Sequence, residues 1–261
     1  MIRTLLSIFA CVLLLYLIFP LIIVLGASLS DADFLSFPPQ GLTLRWYEAV
    51  FQNDTYVKAF GVSTALALAA TLVAVILAVP ASLALARYDF VGKRAAETIL
   101  MSSLVLPYIV LGAAFLQYGA AIGMVRSFSA LLVGHVVIIM PFVIRSVLPQ
   151  LSDDQRSLEE ASRDLGAGAF ATFFLITLPQ IRAGIISGAV LAFITSWINV
   201  EVSIFQATPT LTTIPVVLFN YVQYTVDPTI ATVSALTVLV AAFLIVALDV
   251  IFGIDVISKR K

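Results

Sequence analysis

The chain has 261 residues, of which 61% are hydrophobic and 11% are charged, and its net charge at pH 7 is −1. Soluble domains carry about 25% charged residues, so this composition excludes an ordinary soluble protein and predicts a polytopic membrane protein. The near-zero net charge argues against nucleic-acid binding, and a single cysteine, Cys11, excludes a disulfide framework. No Walker-type phosphate loop occurs, so we expect no ATP site on this chain. We also expect it to hold no cofactor and no metal ion.

Six apolar runs are each long enough to form a membrane-spanning helix, which takes ~20 residues. They cover residues 5–27, 60–86, 97–121, 129–150, 183–206 and 231–253. The first run is too long for the apolar core of a signal peptide, so we interpret it as an uncleaved span. We therefore predict an all-α fold of six transmembrane helices in a single domain, residues 1–261.

The distribution of basic residues predicts the orientation of the spans. Three of the fourteen basic residues, Arg45, Lys58 and Arg126, fall on one side of the predicted membrane, which leaves eleven on the other. Because basic residues concentrate on the cytoplasmic side, both termini and the loop of residues 151–182 are predicted to be cytoplasmic.

This loop, between the fourth and fifth spans, is the longest charged connection on that side. Two capping boxes and one acid–base pair predict a helix in it: Ser152 with Gln155, Ser157 with Glu160, and Glu159 with Arg163. Gly166 suits a helix stop in the left-handed conformation, and Pro179 is expected to block simple continuation of a helix. We expect two short helices joined by a glycine bend, lying outside the membrane.

The spacing in this loop resembles the EAA loop of ABC-importer permeases, which reads Glu-Ala-Ala, three residues, Gly, nine residues and Ile-x-Leu-Pro. The matching residues are Glu160, Ala161, Ser162, Gly166, Ile176, Leu178 and Pro179. The one departure is Ser162 in place of the second alanine. The resemblance implies a type I ABC-importer permease fold in a bacterial inner membrane.

The same resemblance implies partners and a coupling role. The loop, including Asp164 and Leu165, would dock into a groove on an ATP-hydrolysing subunit, as a helix docks in a groove. Ala161 and Ser162 would permit close approach, and Glu160 would meet a basic partner. The implied partners are a second homologous permease, two ATP-binding subunits that carry ATP and Mg, and an extracytoplasmic solute-binding protein. The chain itself would not be an enzyme.

A second resemblance lies in the predicted outer loop. The sequence Pro-x-x-Gly-Leu-Thr-Leu-Arg-Trp-Tyr, residues 38–47, is similar to the outer segment of permeases of the spermidine/putrescine-type subfamily. Those permeases often carry adjacent aspartates in the fifth span, where this chain reads Ile198-Asn199. The difference indicates a monocation, a zwitterion or another small nitrogenous solute: polyamine-like, or of the amino-acid, opine or phosphonate type.

The fifth apolar run carries the main cluster of polar residues inside a span. On a helix, one arc of roughly 100° would hold Thr195, Ser196, Asn199, Ser203 and Gln206. Trp197 and Glu201 would form an adjoining stripe. A carboxylate inside a span is a candidate functional group, and the indole could contact an amine. Tyr108 and Gln117 are further candidates for the solute pathway. The alternative is a hydrogen-bonded seam between helices, and we expect such a packing role for His135.

Two other classes of protein remain as alternatives. A self-contained secondary transporter often shows internal repeats and paired intramembrane ions, and neither pattern is clear in this sequence. A membrane-embedded enzyme would need a catalytic cluster, which one histidine does not provide. Both alternatives leave the spacing of residues 160–179 as coincidence.

Overall fold

The computed structural model describes residues 2–224 and 227–252, and these residues form helices, turns and loops with no strand. In chain order the helices are α1 (Ile2–Ser28), α2 (Arg45–Gln52), α3 (Asp54–Arg87), α4 (Lys93–Met101), α5 (Tyr108–Ala121), α6 (Phe128–Val147), α7 (Asp153–Asp164), α8 (Ala169–Thr172), α9 (Leu178–Trp197), α10 (Ser203–Gln206), α11 (Ile214–Val222) and α12 (Pro228–Phe252). The predicted all-α fold is confirmed.

Most of the predicted spans correspond to long apolar helices. Among the described residues, four helices are long and apolar enough to cross a membrane, and a fifth crossing results if α4 and α5 count as one broken span. The four are α1, α3, α6 with the 3-10 turn that follows it, and the continuous helix Ala169–Trp197. α12 coincides with the sixth predicted run, of which residue 253 lies outside the described residues.

The third predicted span, residues 97–121, is not one helix, and this part of the prediction is wrong. α4 ends at Met101, a 3-10 turn follows, and α5 begins at Tyr108 with an angle of 107° between the two parts. Pro107 occupies the N-cap of α5 with ψ at 128°, outside the helical region. Proline has no N–H to donate and disfavours helical backbone in the residue before it, so the chain turns here.

The chain divides into two compact units, and the first comprises residues 1–59 and 217–244. In it, the most apolar window of α1 buries none of its residues within the chain. The loop after α1 is held by Trp46, whose indole N–H donates to the carbonyl of Ser30 at 3.1 Å. The Arg45 guanidinium lies 4.7 Å above the Trp46 ring and pairs with Asp33 at 2.6 Å. The prediction of a single domain for residues 1–261 stays a prediction.

The described part of the second unit, residues 60–216 and 245–252, has its core along α3, α6 and α9, of which α6 and α9 pack against each other. Two glycines let these helices approach closely: a Cβ at Gly184 would stand 2.5 Å from the carbonyl oxygen of Ser146, and one at Gly188 would stand 2.8 Å from the Cα of Val143. Small residues at such contacts are typical of helix pairs in membranes. The fully buried α6 side chains include Ile138, Ile139, Val143, Ile144 and Val147.

Candidate functional site

The polar segment between α6 and α9 contains α7. After the role that the resemblance implies, we call residues 151–182 the coupling segment and α7 the coupling helix. Ser152 occupies its N-cap position, but no side-chain cap hydrogen bond forms there. Ser157 lies inside the helix, where its hydroxyl donates to the carbonyl of Asp153 at 3.2 Å, so neither predicted capping box is present. Asp153 and Asp154 in the first turn supply the negative charge that stabilises a helix N-terminus.

Gly166 ends the coupling helix as predicted. Its φ is +90°, in the left-handed region that glycine adopts without steric cost. The Gly166 N–H donates to the carbonyl of Arg163 at 2.9 Å, and the Ala167 N–H donates to that of Ser162 at 3.1 Å. This pair of bonds is a Schellman motif, which satisfies the last carbonyls of α7 and redirects the chain toward α8.

The chain does not break at Pro179, contrary to the prediction. α8 runs through a π-helical turn, Phe173–Thr177, directly into α9, and Pro179 lies in the first turn of α9. A proline is tolerated there because the wider turn before it already departs from the α-helical hydrogen-bond pattern. The fifth span therefore forms part of a helix that begins at Ala169, not near residue 183.

A buried ion pair, which we did not predict, joins the coupling helix to the end of α3. The Arg87 guanidinium donates from Nε and Nη2 to the two oxygens of Glu159, each at 3.2 Å. The side chains are only 12% and 7% exposed. Thr177 Oγ1 donates to Glu159 Oε1 at 2.9 Å, and Arg87 Nη1 donates to the carbonyls of Leu151 and Ser152 at 3.3 Å. Glu159 therefore ties together α3, α7 and the entry to α9.

The residues of the EAA-like pattern divide between an exposed and a half-buried set. Glu160, Ala161, Asp164, Leu165, Gly166 and Pro179 are exposed, while Ser162, Ile176 and Leu178 are partly buried. Within the chain, Glu160 pairs with Arg156 one turn away at 3.0 Å. Ser162 lies 3.3 Å from the hydroxyl of Thr172, a contact that joins α7 to α8. Two large apolar side chains stand out on this surface, Leu165 at 90% and Phe170 at 84% exposure.

The second candidate region is a break in the fifth predicted span. α9 ends at Trp197 and α10 begins at Ser203, so the chain between them is not α-helical. Asn199 caps the break, because its Oδ1 accepts from the Val202 N–H at 2.9 Å. The Asn199 amide nitrogen donates to Glu201 Oε2 at 3.2 Å, and Glu201 is exposed.

This break overturns the predicted helical stripe of Trp197 and Glu201, since the two residues do not share a helix. The Trp197 indole is 2% exposed and stacks on Phe193 with ring centroids 5.6 Å apart, so it faces the core. Tyr108, in the first turn of α5, lies within electrostatic range of Glu201. Gln117 is exposed further along α5.

Two polar residues of the fifth run, Ser196 and Ser203, form the hydrogen-bonded seam with α6 that was the alternative. Ser196, Asn199, Ser203 and Gln206 are all buried. His135, which is fully buried in α6, contacts the Ser196 hydroxyl at 2.7 Å and the Ser203 hydroxyl at 2.9 Å. The predicted packing role of His135 is confirmed. Among the described residues, no group of three or more His, Cys, Asp or Glu side chains is placed to hold a metal ion.

Comparison with known proteins identifies the family. Residues 78–256 match the family described as binding-protein-dependent transport system inner membrane component. The chain belongs to this family. The permease is 29% identical over 231 residues to the spermidine/putrescine transport system permease protein PotC of Haemophilus influenzae, covering 88% of this chain and 90% of that protein. It is 32% identical over 203 residues to the putrescine transport system permease protein PotI of Escherichia coli, covering 75% and 72%.

The fold has a counterpart among solved structures. The permease superposes with a TM-score of 0.76 on a chain of a bacterial ABC transporter that imports the acidic polysaccharide alginate, with 14% identity and 96% of both chains covered. The predicted ABC-importer permease fold is therefore confirmed. The family assignment makes this chain a membrane permease subunit of an ABC importer, which works with an ATPase and a solute-binding protein.

Proposed function

We propose that this permease imports a small cationic, nitrogenous solute and that Glu201 contacts it. The observation that carries the proposal is an exposed carboxylate at a break in a membrane span, held through one oxygen by the Asn199 amide. Ionisable groups at such positions are costly and mark solute pathways, and a carboxylate attracts an ammonium group. The relatives PotC and PotI, named for spermidine and putrescine transport, support an amine.

We also propose that the coupling segment transmits ATPase closure. In the exposed set, Leu165 and Phe170 offer apolar side chains to a groove, and Glu160 offers a carboxylate to a basic residue of the partner. The Arg87–Glu159 pair would carry motion of this surface into α3, and the continuous helix from Ala169 would carry it into α9. Closure would then change the affinity of the pathway for its solute.

The complete transporter would contain this permease, a second homologous permease, two ATP-binding subunits and one solute-binding protein. The basic-residue distribution supports cytoplasmic termini and a cytoplasmic coupling segment in a bacterial inner membrane. ATP and Mg would bind to the ATPase subunits, and this chain would supply no catalytic group. Cysteine labelling of each terminus from either side of the membrane tests the orientation.

The test of the solute class is ATP-dependent uptake of putrescine and spermidine by the assembled transporter in proteoliposomes. Glu201→Gln should lower amine uptake by about one to two orders of magnitude, because a hydrogen bond to a charged group contributes about 1.5–3 kcal/mol. Glu48→Gln is the matched control, since Glu48 is an exposed carboxylate in α2 whose Oε1 accepts from Gln52 at 3.0 Å. Equal uptake by the two variants would exclude Glu201 from the pathway.

A further inference from the structure

A side chain of α6 bridges the break in the fifth span. His135, in the middle of α6, contacts Ser196 in the last turn of α9 through Nδ1 and Ser203 at the start of α10 through Nε2. The imidazole thus bridges the two helix ends that flank the break. All three side chains are buried, so no competing solvent replaces these bonds at low cost.

The hydrogen bonds determine which ring nitrogen carries the proton. The Ser203 hydroxyl donates its one hydrogen to the carbonyl of Asn199 at 2.9 Å, so it must accept from His135 at Nε2. A neutral ring then has no hydrogen on Nδ1, which accepts from the Ser196 hydroxyl at 2.7 Å. In the neutral ring the bridge therefore uses the Nε2–H tautomer, in which each of its bonds has a donor and an acceptor.

The bridge continues to the exposed carboxylate. From His135 the bonds run through Ser203 to the carbonyl of Asn199, whose side chain holds both the Val202 N–H and Glu201 Oε2. The loop also meets α5 at Gly112, where an added Cβ would stand 2.6 Å from the carbonyl oxygen of Glu201. The backbone of the break is therefore fixed on two sides while the Glu201 carboxylate remains exposed.

We propose that His135 is a positioning residue that holds the Asn199–Glu201 loop in place and so sets the selectivity of the pathway among amines. The proposal rests on the proposed function for the role of Glu201 as the solute contact. It goes beyond packing because the bridge fixes the separation of two helix ends, and the exposed carboxylate lies between them. Loosening the bridge would let the carboxylate adopt other positions and accept ammonium groups at other spacings.

The first experiment measures how fast residue 201 in the loop is labelled, in the absence of any solute. In a Cys11→Ser background, Glu201→Cys is labelled with a membrane-impermeant cationic methanethiosulfonate in the assembled transporter. Adding Ser203→Ala or Ser196→Ala should change the labelling rate about fivefold, the factor that corresponds to one net hydrogen bond of about 1 kcal/mol. His135→Ala is a stronger variant, and the serine variants keep the test valid if it fails to fold.

The control for this labelling is Ser82→Ala. Ser82 is fully buried in α3 of the same unit, and its hydroxyl donates only to the carbonyl of Ala78 in its own helix at 2.8 Å. It should leave the labelling rate of Glu201→Cys unchanged. Equal labelling rates in the Ser203→Ala, Ser196→Ala and Ser82→Ala backgrounds would overturn the proposal.

The second experiment asks whether the bridge acts through Glu201. Ser203→Ala should change the ratio of putrescine to spermidine uptake about fivefold, again the factor of one lost hydrogen bond. In a Glu201→Gln background the same substitution should have no further effect on the ratio. If Ser203→Ala changes the uptake ratio by the same factor with and without the Glu201 carboxylate, the positioning role is overturned. If Glu201→Gln alone leaves uptake unchanged, the solute contact fails as a proposal, and the labelling rates still decide whether His135 holds the loop.

Discussion

The buried ion pair between Arg87 and Glu159 gives the sharpest prediction about the coupling segment. Glu159→Ala removes the two carboxylate acceptors of the Arg87 guanidinium and the acceptor of Thr177 Oγ1, at a site where Arg87 is only 12% exposed. A charge left buried without its partner costs about 3–5 kcal/mol. Two carbonyl oxygens still accept from Arg87 Nη1 at 3.3 Å in this variant. Because the guanidinium keeps these hydrogen bonds, we expect no loss of stability beyond this range.

The loss should appear in both stability and coupling. We expect Glu159→Ala to lower the unfolding temperature of the purified transporter, because α7 loses its main tie to α3 and α9. We also expect fewer solute molecules transported per ATP hydrolysed in proteoliposomes, since closure of the ATPase would move α7 without moving the spans. The double variant Arg87→Met/Glu159→Leu should recover most of the stability, because it leaves no buried charge.

The matched control is Asp54→Asn. Asp54 pairs with Lys58 at 3.1 Å, but the two side chains are 87% and 75% exposed, so this pair contributes only about 0–1 kcal/mol. If Glu159→Ala behaves like Asp54→Asn in both assays, then the buried pair neither stabilises the segment nor transmits motion.

Two further predictions concern one backbone conformation and one titratable group. Gly166→Ala places a Cβ on a residue with φ +90° and should destabilise the segment by about 1–2 kcal/mol in thermal unfolding. The control Gly168→Ala, at φ −70°, should destabilise it much less. Equal effects of the two substitutions would contradict a left-handed helix stop at Gly166. The hydrogen bond from Tyr221 to Asp227 raises the pKa of the phenol from 10.0 to about 12. This bond therefore stabilises the fold below pH 10, and its contribution is lost as the pH rises toward 12. The difference in unfolding free energy between wild type and Tyr221→Phe should be constant below pH 10.0 and shrink above it. A difference that does not depend on pH would refute this assignment.

Among the local rules applied to the coupling segment, the glycine stop was correct and the two capping boxes were wrong. The helix end at Gly166 could be predicted because a left-handed helix stop depends on the backbone conformation of one residue. Glu159 was interpreted as a helix-supporting neighbour of Arg163, whereas the structure pairs it with Arg87, 72 residues earlier. Spacing along one helix indicates which side chains are neighbours on that helix, but it carries no information on which other helix packs there.

The fifth span shows a different limit of prediction from sequence patterns. The predicted polar arc assumes an uninterrupted helix, and two of its buried members, Ser196 and Ser203, do bond to α6. The break after Trp197 went unpredicted because no proline or glycine lies within residues 198–202. One signal was present: asparagine tends to bond to nearby backbone groups, and Asn199 does so with the Val202 N–H. At Pro179 the opposite error occurred, because a π-helical turn accommodates a residue that would interrupt a regular α-helix.

The central claim is that the exposed EAA-like surface couples this permease to an ATPase. The most direct measurement is ATP-driven uptake by the assembled Glu160→Lys transporter, together with the amount of ATPase that purifies with it in mild detergent. Reversing the charge should abolish uptake and reduce ATPase association, while the permease stays in the membrane and its Arg87–Glu159 pair stays intact. Normal uptake with a full complement of ATPase would contradict the account.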